Sequence, residues 1–357
     1  MKINHQNNLW MVSIDHLVNF DAFWCFLYYF FMKKLLEIKR NNVVERVHFG
    51  YVGLYDADFG FVSPSLTKEN FYMRSCMKPL QASVLDSLGA FDGFSFNEEE
   101  IAIMCASHTG SQYHVDLVEN ILKKINLAPS FLQCGAHFPL DFEEAFLMKK
   151  NGFSPQNIHN NCSGKHAGFL AGCVIQGFDV QNYLEFSHPL QKKIKERVFD
   201  YCHLFEMEEL VSKDGCGAPI WAMPLSNMAQ GFLNCFKNHK KITEAMRKFP
   251  YAAGGHNRID SEITNCSKGK LIAKVGAEGL LMIYNTSLSQ VFVVKVLDAN
   301  EPARAIVAID GLLALGWIDF ENLISSPLME FYKLEVNTLS KEKVGNIKIC
   351  FDWNLLK

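Results

Sequence analysis

Two separate parts of the chain alternate apolar and polar residues in the manner of β-strands, and helical periodicity fills the sequence between them. Near the N-terminus, the segments "LLEIKR" and "VVERVHFGYVGLYD" flank the turn Asn41-Asn42 and precede "FGFVSP". Far along the chain, "KLIAKVG", "GLLMIYN" and "QVFVVKVL" follow one another through short turns. Strands joined by such short turns pair in antiparallel fashion. The sequence predicts an α/β (α+β) fold with a mainly antiparallel sheet from N- and C-terminal strands and an inserted helical region.

Within the helical region, several segments have recognisable ends. Residues 79–89 place Leu80, Val84 and Leu88 on one face and close at Gly89. Ser111 can cap the amphipathic helix "YHVDLVENILKKI", and Asp141 can cap "FEEAFLMKK". The run "IAIMCA" is short and continuously apolar, so we expect a buried strand there. A further helix, "PARAIVAIDGLLALG", follows the C-terminal strands.

Composition narrows the class of ligand and the compartment. A chain of 357 residues with 49% hydrophobic and 20% charged residues can bury a large core. Its net charge of -3 gives no basic surface for nucleic acid or an anionic membrane, so a small-molecule substrate is expected. Eleven cysteines, an odd number scattered partly in apolar runs, indicate reduced thiols and a cytoplasmic location.

The first 31 residues differ from the rest of the chain. Their stretch "FDAFWCFLYYFFMKK" is short for a bilayer span, and its lysines follow the apolar part, unlike those of a secretory signal. We interpret residues 1–31 as an N-terminal extension, either non-native or disordered. A helix that packs on the domain or on a partner, and membrane association or targeting, stay open as alternatives.

Ser75 and Lys78 form one of four Ser-x-x-Lys pairs in the chain. Pro79 distinguishes this pair, because proline is tolerated only near the start of a helix. Ser75 would then lie near the helix N-terminus, where the backbone can stabilise an oxyanion, with a lysine one turn away that could act as its base if neutral. A helix cap beside a solvated lysine explains the motif equally well. The other three pairs lie in polar or charged sequence: Ser65/Lys68, Ser267/Lys270 and Ser340/Lys343.

Three further stretches combine polar residues with glycine at expected ends of elements. "CASHTGS" contains Ser107, and "AKVGAEG" ends a strand with Lys274. "NNCSGKHAGF" lacks the first glycine and the final hydroxyl of a phosphate loop. Its Cys162 and the distant Cys216 of "KDGCGAP" make only a weak zinc signal by spacing. Taken singly, each stretch also fits an ordinary turn.

Taken in series, these stretches resemble the asparaginase II family, the rhizobial-type or class 3 L-asparaginases. The resemblance extends over roughly residues 34–316 and rests on "RSCMKPLQ", "CASHTGS", "QCGAHFP", "NNCSGKHAGF", "DGCGAP" and "KVGAEG". It implies a serine β-lactamase/glutaminase-like fold and hydrolysis of L-asparagine to L-aspartate and ammonia. It also implies a catalytic domain over residues 32–320, completed by a C-terminal tail over 321–357, and a homodimer.

The resemblance assigns roles to individual positions. Ser75 matches the family's nucleophile and Lys78 its partner lysine, while Ser107 and Lys274 match a second serine-lysine pair. The expected substrate-binding residues are Arg74, His108, Gly110, His166, Asp214 and Gly276. Asp214 suits the α-ammonium group of the substrate. Cys162, Lys165 and Cys216 match a zinc site, structural or affinity-tuning, in which the lysine must be neutral to coordinate.

Other functions stay open on the sequence alone. A serine-dependent glutaminase or a β-lactamase-like hydrolase shares the Ser-x-x-Lys motif. A non-catalytic amino-acid-binding protein could keep the pocket and lose turnover. The asparaginase hypothesis requires that the two serines and two lysines meet in one place, with the zinc residues beside them.

Overall fold

The computed structural model describes residues 32–62, 69–205 and 209–356. The predicted N-terminal extension, residues 1–31, and the pair Ser65/Lys68 lie outside the described residues. Among those described, no helix is long and apolar enough to cross a membrane.

The main sheet is built from strands of the two ends of the chain, as predicted. Its order is β10-β11-β1-β2-β9-β8-β7, with β3 paired to β2, and its pairings are antiparallel. The strands are β1 (Lys33–Arg40), β2 (Val43–Asp56), β3 (Gly60–Val62), β7 (Leu271–Val275), β8 (Leu280–Asn285), β9 (Gln290–Val296), β10 (Glu335–Asn337) and β11 (Lys343–Ile349). The turn Asn41-Asn42 joins β1 to β2, and Asn41 has the positive φ of 49° that such hairpin turns require.

Close strand contact in the middle of this sheet depends on one glycine. Gly50 of β2 lies opposite Val296 of β9. A Cβ atom at position 50 would come within 2.0 Å of the carbonyl oxygen of Lys295. Only glycine therefore allows the N-terminal strands to pair here with the C-terminal ones.

The inserted region consists of helices and a small antiparallel sheet of order β4-β6-β5. These three strands are β4 (Phe71–Tyr72), β5 (Leu210–Lys213) and β6 (Pro219–Met223). The helices before β5 are α1 (Lys78–Ser87), α2 (Ala90–Gly93), α3 (Glu98–Met104), α4 (Gln112–Lys124), α5 (Phe142–Lys150), α6 (Ser163–Gln176) and α7 (Pro189–Tyr201). Those after β6 are α8 (Leu225–Asn238), α9 (Lys240–Lys248), α10 (Pro250–Ala253) and α11 (Ile259–Cys266), and the C-terminal ones are α12 (Glu301–Ala314) and α13 (Phe320–Ile324).

One predicted element is wrong in type. The run "IAIMCA" is not a strand, because residues 98–104 form helix α3. Asn97 caps this helix by accepting a hydrogen bond from the N–H of Glu100, whose carboxylate accepts from the N–H of Asn97 in return. The apolar residues of this helix are buried on all sides, so its sequence shows no amphipathic period. The local sequence signal for a helix is instead the cap at Asn97.

Both faces of the main sheet are covered. Along β9, Val291 and Val293 pack into the core beneath the inserted helices, whereas Phe292 and Val294 pack into a second core with α12. The same alternation holds in β7, where Ile272 faces the inserted helices and Ala273 faces the second core. Because side chains alternate along a strand, Lys274 shares the face of Ile272 and points toward the inserted helices.

Candidate active site

Three of the predicted catalytic residues meet at the hydroxyl group of Ser107. The ammonium of Lys78 donates a hydrogen bond to Ser107 Oγ over 2.9 Å, and that of Lys274 donates over 3.0 Å. All three residues are buried, with Ser107 only 4% exposed. The contacts join the start of α1, the loop after α3 and the edge strand β7.

Lys78 is held in place by the start of α1 and by two further contacts. Pro79 occupies the second position of this helix, as its sequence predicts. The lysine Nζ also donates to the carbonyl oxygen of Ala106 and to Cys162 Sγ over 3.2 Å. Its ammonium therefore joins the serine centre to the cysteine that the sequence predicts as a metal ligand.

Lys274 is anchored by a buried carboxylate. Its Nζ lies 3.5 Å from Asp260 Oδ2, which also accepts a hydrogen bond from the N–H of Val275 over 3.1 Å. Burial lowers the pKa of Lys274 from 10.5 to about 8, although the charge of Asp260 opposes the shift. Near pH 8 this side chain can therefore both give up and accept a proton.

Ser75 differs from these residues in its exposure and in its hydrogen bonding. It belongs to a short 3₁₀ turn, Arg74–Met77, that leads directly into α1, and its side chain is partly exposed. Among the described residues its hydroxyl makes no hydrogen bond, and the neighbouring Lys78 donates to Ser107 instead. The predicted Ser75–Lys78 hydrogen bond is thus not made, and the role of Ser75 stays a prediction.

Arg74 and Asp214 form the edge of the site next to Ser75. Arg74 Nε donates to Asp214 Oδ1 over 2.7 Å, and its Nη1 lies 3.5 Å from the carboxylate of Glu278. Arg74 has a φ of 49°, which is unusual for a residue with a side chain and stores backbone strain at this point. The two predicted substrate-binding residues are therefore neighbours, and the Asp214 carboxylate is largely buried.

His108 and Gly110 form the loop that follows Ser107. His108 Nε2 lies 3.0 Å from Ser163 Oγ, and its Nδ1 accepts from the N–H of Gly110 over 3.1 Å. Burial lowers the pKa of His108 well below 6.5, so the imidazole is neutral. Gly110 has a φ of 76°, and a Cβ there would lie 2.6 Å from the carbonyl oxygen of His159. These contacts give both residues a structural role in shaping the loop.

Gly276 follows the Lys274 strand, but its N–H is already engaged. It donates to the carbonyl oxygen of Leu280 over 2.9 Å, and its own carbonyl accepts from Arg304 over 3.4 Å. This N–H is therefore not free, and a substrate-binding role for Gly276 stays a prediction. Close packing explains instead why glycine stands here, because a Cβ atom at this position would lie 3.1 Å from Cys76 Sγ.

The three predicted metal ligands lie together beside the serine centre. Lys165 Nζ is 2.9 Å from Cys216 Sγ, and a hydrogen bond with Cys162 lowers the pKa of Cys216 against the effect of burial. Burial by itself would lower the pKa of Lys165. The neighbouring Cys216 and Cys162 sulfurs outweigh burial and raise this pKa above its ordinary value of 10.5. His166, which bonds Tyr183 through Nδ1 at 2.8 Å, lies against Cys216, and its buried Nε2 has no hydrogen-bond partner among the described residues.

The donor chemistry of this cluster suits zinc. Two thiols and an amine offer the sulfur and nitrogen atoms that zinc prefers. Within the described part of the chain, no group of three His, Cys, Asp or Glu side chains could hold a metal ion. A metal at this position would therefore depend on Lys165.

Sequence reasoning missed Asp260 and Tyr183. Asp260 lies 14 residues before Lys274 at the start of α11, and nothing in its surrounding sequence "NRIDSEIT" marks it as the partner of a strand lysine. Tyr183 fixes His166 from a loop, and its hydroxyl also accepts from the N–H of Gln133. Both depend on contacts between segments far apart in the chain, which local patterns do not reveal.

Comparison with known proteins agrees with the geometry. The sequence model described as L-asparaginase II matches residues 36–349, a range that includes every residue of this site. No match is found among curated proteins. Because the family match covers most of its length, the chain belongs to the L-asparaginase II family and is an asparaginase enzyme.

Proposed function

We propose that the protein hydrolyses L-asparagine to L-aspartate and ammonia through a serine acyl-enzyme. The observation that carries this proposal is the convergence of the Lys78 and Lys274 ammonium groups on Ser107 Oγ. Buried amines beside a hydroxyl supply the proton transfers that amide hydrolysis needs. The antiparallel sheet with helices inserted between its strands also supports a serine β-lactamase/glutaminase-like fold.

The two serines differ in exposure, and we assign their catalytic roles from this difference. Ser75 is the second residue of the turn that precedes α1 and is partly exposed, so we expect a substrate amide carbon to reach its hydroxyl. Ser107 is buried and bridges two lysines, an arrangement suited to passing protons rather than to attacking a substrate. We therefore assign Ser75 as the nucleophile and Ser107 as the proton relay.

The reaction then has two stages, acylation of Ser75 and hydrolysis of the acyl-enzyme. Ser75 Oγ bonds to the side-chain amide carbon and gives its proton to Lys78, which must first lose a proton and turn from Ser107 toward Ser75. The carbon–nitrogen bond breaks as the Lys274 ammonium passes a proton through Ser107 to the departing ammonia.

Water next attacks the acyl carbon and gives one proton to the neutral Lys274 amine. The ester bond to Ser75 breaks as Lys78 returns its proton to Ser75 Oγ, and the product leaves as a carboxylate after its acidic proton passes to the released ammonia. We assign the Asp214 carboxylate, which also accepts a hydrogen bond from Arg74, to the substrate's α-ammonium group.

Alanine substitutions at the two serines test the division of roles. We expect Ser75→Ala to lose covalent adduct formation altogether, and Ser107→Ala to lower kcat by about 10²–10⁴-fold while still forming some acyl-enzyme. Ammonia release and intact-protein mass spectrometry after rapid quenching measure the two effects. Ser340→Ala, in an exposed Ser-x-x-Lys pair, is the matched control and should keep full activity. An adduct on Ser107 in the native enzyme would reverse the assignment.

The pH dependence of turnover tests the role of Lys274 as an acid. Its folded pKa of about 8 lies below its ordinary value, so the amine loses its proton as the pH rises through 8. If Lys274 supplies the proton to ammonia, kcat falls over this range. Lys274→Arg, whose guanidinium stays protonated, should show lower activity without that fall. A kcat that instead rises through pH 8 would make Lys274 a base.

We also propose that Cys162, Lys165 and Cys216 hold a zinc ion. Bound zinc would supply a positive charge and tie together α6 and the loop before β6, as a structural or affinity-tuning element. The proximity of two thiols to a buried lysine supports this proposal. Because Cys162 also contacts Lys78, these residues can adjust the position of the lysine without the metal taking part in the chemistry.

Metal analysis of purified protein tests the zinc proposal without reference to activity. We expect about one zinc per chain in the native protein, and near none in Cys216→Ser or Lys165→Met, since three ligands cannot be reduced to two without losing most affinity. Cys173→Ser, a buried cysteine of α6 outside the cluster, should keep its zinc. Full metal content in Lys165→Met would contradict a lysine ligand.

A homodimer is proposed from an apolar surface around α5. This helix has no buried residue, and its rings of Phe142 and Phe146 stack in the open. Phe142 is 82% exposed, and Leu140, Leu147 and Phe153, close to it in the sequence, are exposed as well. Exposed apolar surfaces of this kind are commonly buried between subunits.

Light scattering of the purified protein measures this association. We expect twice the monomer mass for the native chain, and the monomer mass for the double variant Phe142→Ser/Phe146→Ser. Leu288→Ser, at an exposed apolar residue of the distant β8–β9 turn, is the control and should stay dimeric. A monomeric native protein at micromolar concentration would contradict the dimer.

We further propose a cytoplasmic location. Ten cysteines of the described chain are free thiols, and most of them are buried. Thiols of this number persist in a reducing compartment.

A further inference from the structure

A cavity lies close to Gly276, because its lining residue Arg304 donates to the carbonyl oxygen of that glycine. It has a volume of about 390 Å³ and lies between the starts of α11 and α12 and the C-terminal segment. Its lining includes Arg258, Arg304, Ile306, Phe331 and Ile347. None of these residues belongs to the catalytic, substrate-binding or metal-binding sets described above.

The inner end of this cavity carries more positive than negative charge. Arg304 is 3% exposed, and its buried Nε has no hydrogen-bond partner among the described residues. It pairs at 3.6 Å with Glu301, whose side chain is 70% exposed to solvent. The buried Nε of Arg258 also has no partner there, and this side chain makes no ion pair in the described part of the chain. Asp260 acts on both arginines but is already paired with Lys274. Buried charge that lacks a full partner is costly unless a ligand compensates it.

The start of helix α11 adds to the positive potential. This helix begins at Ile259, and its N-cap, Arg258, has no side-chain hydrogen bond to cap it. The first turn of α12, from Glu301 to Arg304, lines the cavity from the other side, but there Asn300 already caps the helix and Glu301 offsets its dipole. The N-terminal end of a helix favours an anion through its dipole and its free N–H groups.

The remaining walls restrict which anion fits. They are largely apolar and include Ile259, Pro302, Ile306, Phe331 and Ile347. Glu330 and Glu335 stand at the rim, where they are solvent-exposed and already paired with Lys333 and Lys343. Rim carboxylates repel ligands that carry several negative charges. A single carboxylate on a hydrocarbon body matches both the inner cations and the apolar walls.

We propose that this cavity binds a small monocarboxylate with an apolar body. Its carboxylate pairs with Arg258 and Arg304, and its hydrocarbon part packs on Phe331, Ile306 and Ile347. The site is coupled to the proposed active site, because Arg304 donates to the carbonyl oxygen of Gly276 and both arginines act on Asp260, the partner of Lys274. Ligand binding there would alter the charge that Lys274 experiences.

Calorimetry with the full-length protein tests this site independently of any turnover. The probe is 4-methylpentanoate, and its matched control is 4-methylpentanamide, which has the same shape without the charge. We expect saturable one-to-one binding of the acid, and binding of the amide at least about tenfold weaker, as for the loss of a charge-assisted hydrogen bond. Inorganic phosphate, which carries more charge and no apolar body, should bind at least about tenfold more weakly than the acid.

Variants locate the binding in this cavity. Arg258→Gln and Arg304→Gln should each weaken binding of the acid by about tenfold or more, whereas Lys333→Gln, at the rim, should leave it unchanged. Arg258 is partly exposed, so its variant keeps the test decisive if Arg304→Gln fails to fold by circular dichroism. Any one of four results would overturn the proposal. They are equal binding of acid and amide, tighter binding of phosphate, no binding of the acid up to about 10 mM, and unchanged binding in Arg258→Gln.

Discussion

The burial of two lysine ammonium groups against one serine hydroxyl is the interaction around which the rest of the molecule is arranged. Removing charged amines from water is unfavourable, and Asp260 is the one carboxylate in direct contact with this centre among the described residues. Three segments must be held rigidly to keep such a centre together. The main sheet positions Lys274, helix α1 positions Lys78, and the loop after α3 positions Ser107.

The same centre is in contact with the cluster of Cys162, Lys165 and Cys216. Cys162 Sγ touches Lys78, and the Lys165–Cys216 pair lies next to it. A change in the charge of the Cys162 sulfur would change the electrostatic potential at Lys78, because the two groups are in direct contact. The Asp260 carboxylate interacts electrostatically with Lys274 and also with Arg258 and Arg304, so the two arginines affect the charge near Lys274. Each lysine of the centre thus has its own electrostatic neighbours, and the charge of Lys78 also lowers the pKa of Lys274.

Much of the fold and part of the site were predictable from the sequence, because both depend on local patterns. The alternation in β7 to β9, the Asn41-Asn42 turn and the position of Pro79 each have a short-range physical cause. The helix α3 was not predictable from its apolar run, since burial on all sides removes the helical period, and only the Asn97 cap decides it. The partner of Lys78 and the role of Asp260 arise from long-range packing, which no local spacing encodes.

The pairing of Gly50 with Val296 has a consequence for how the chain folds. Strand β2 finds its central partner β9 only after the whole inserted region has been synthesised, and β1 waits longer still for β11. Contacts this distant in sequence close slowly, because loop entropy must be lost before they form. During synthesis the β1–β2 hairpin therefore exposes an unpaired edge, and Lys274 reaches its serine only when nearly all of the chain has left the ribosome.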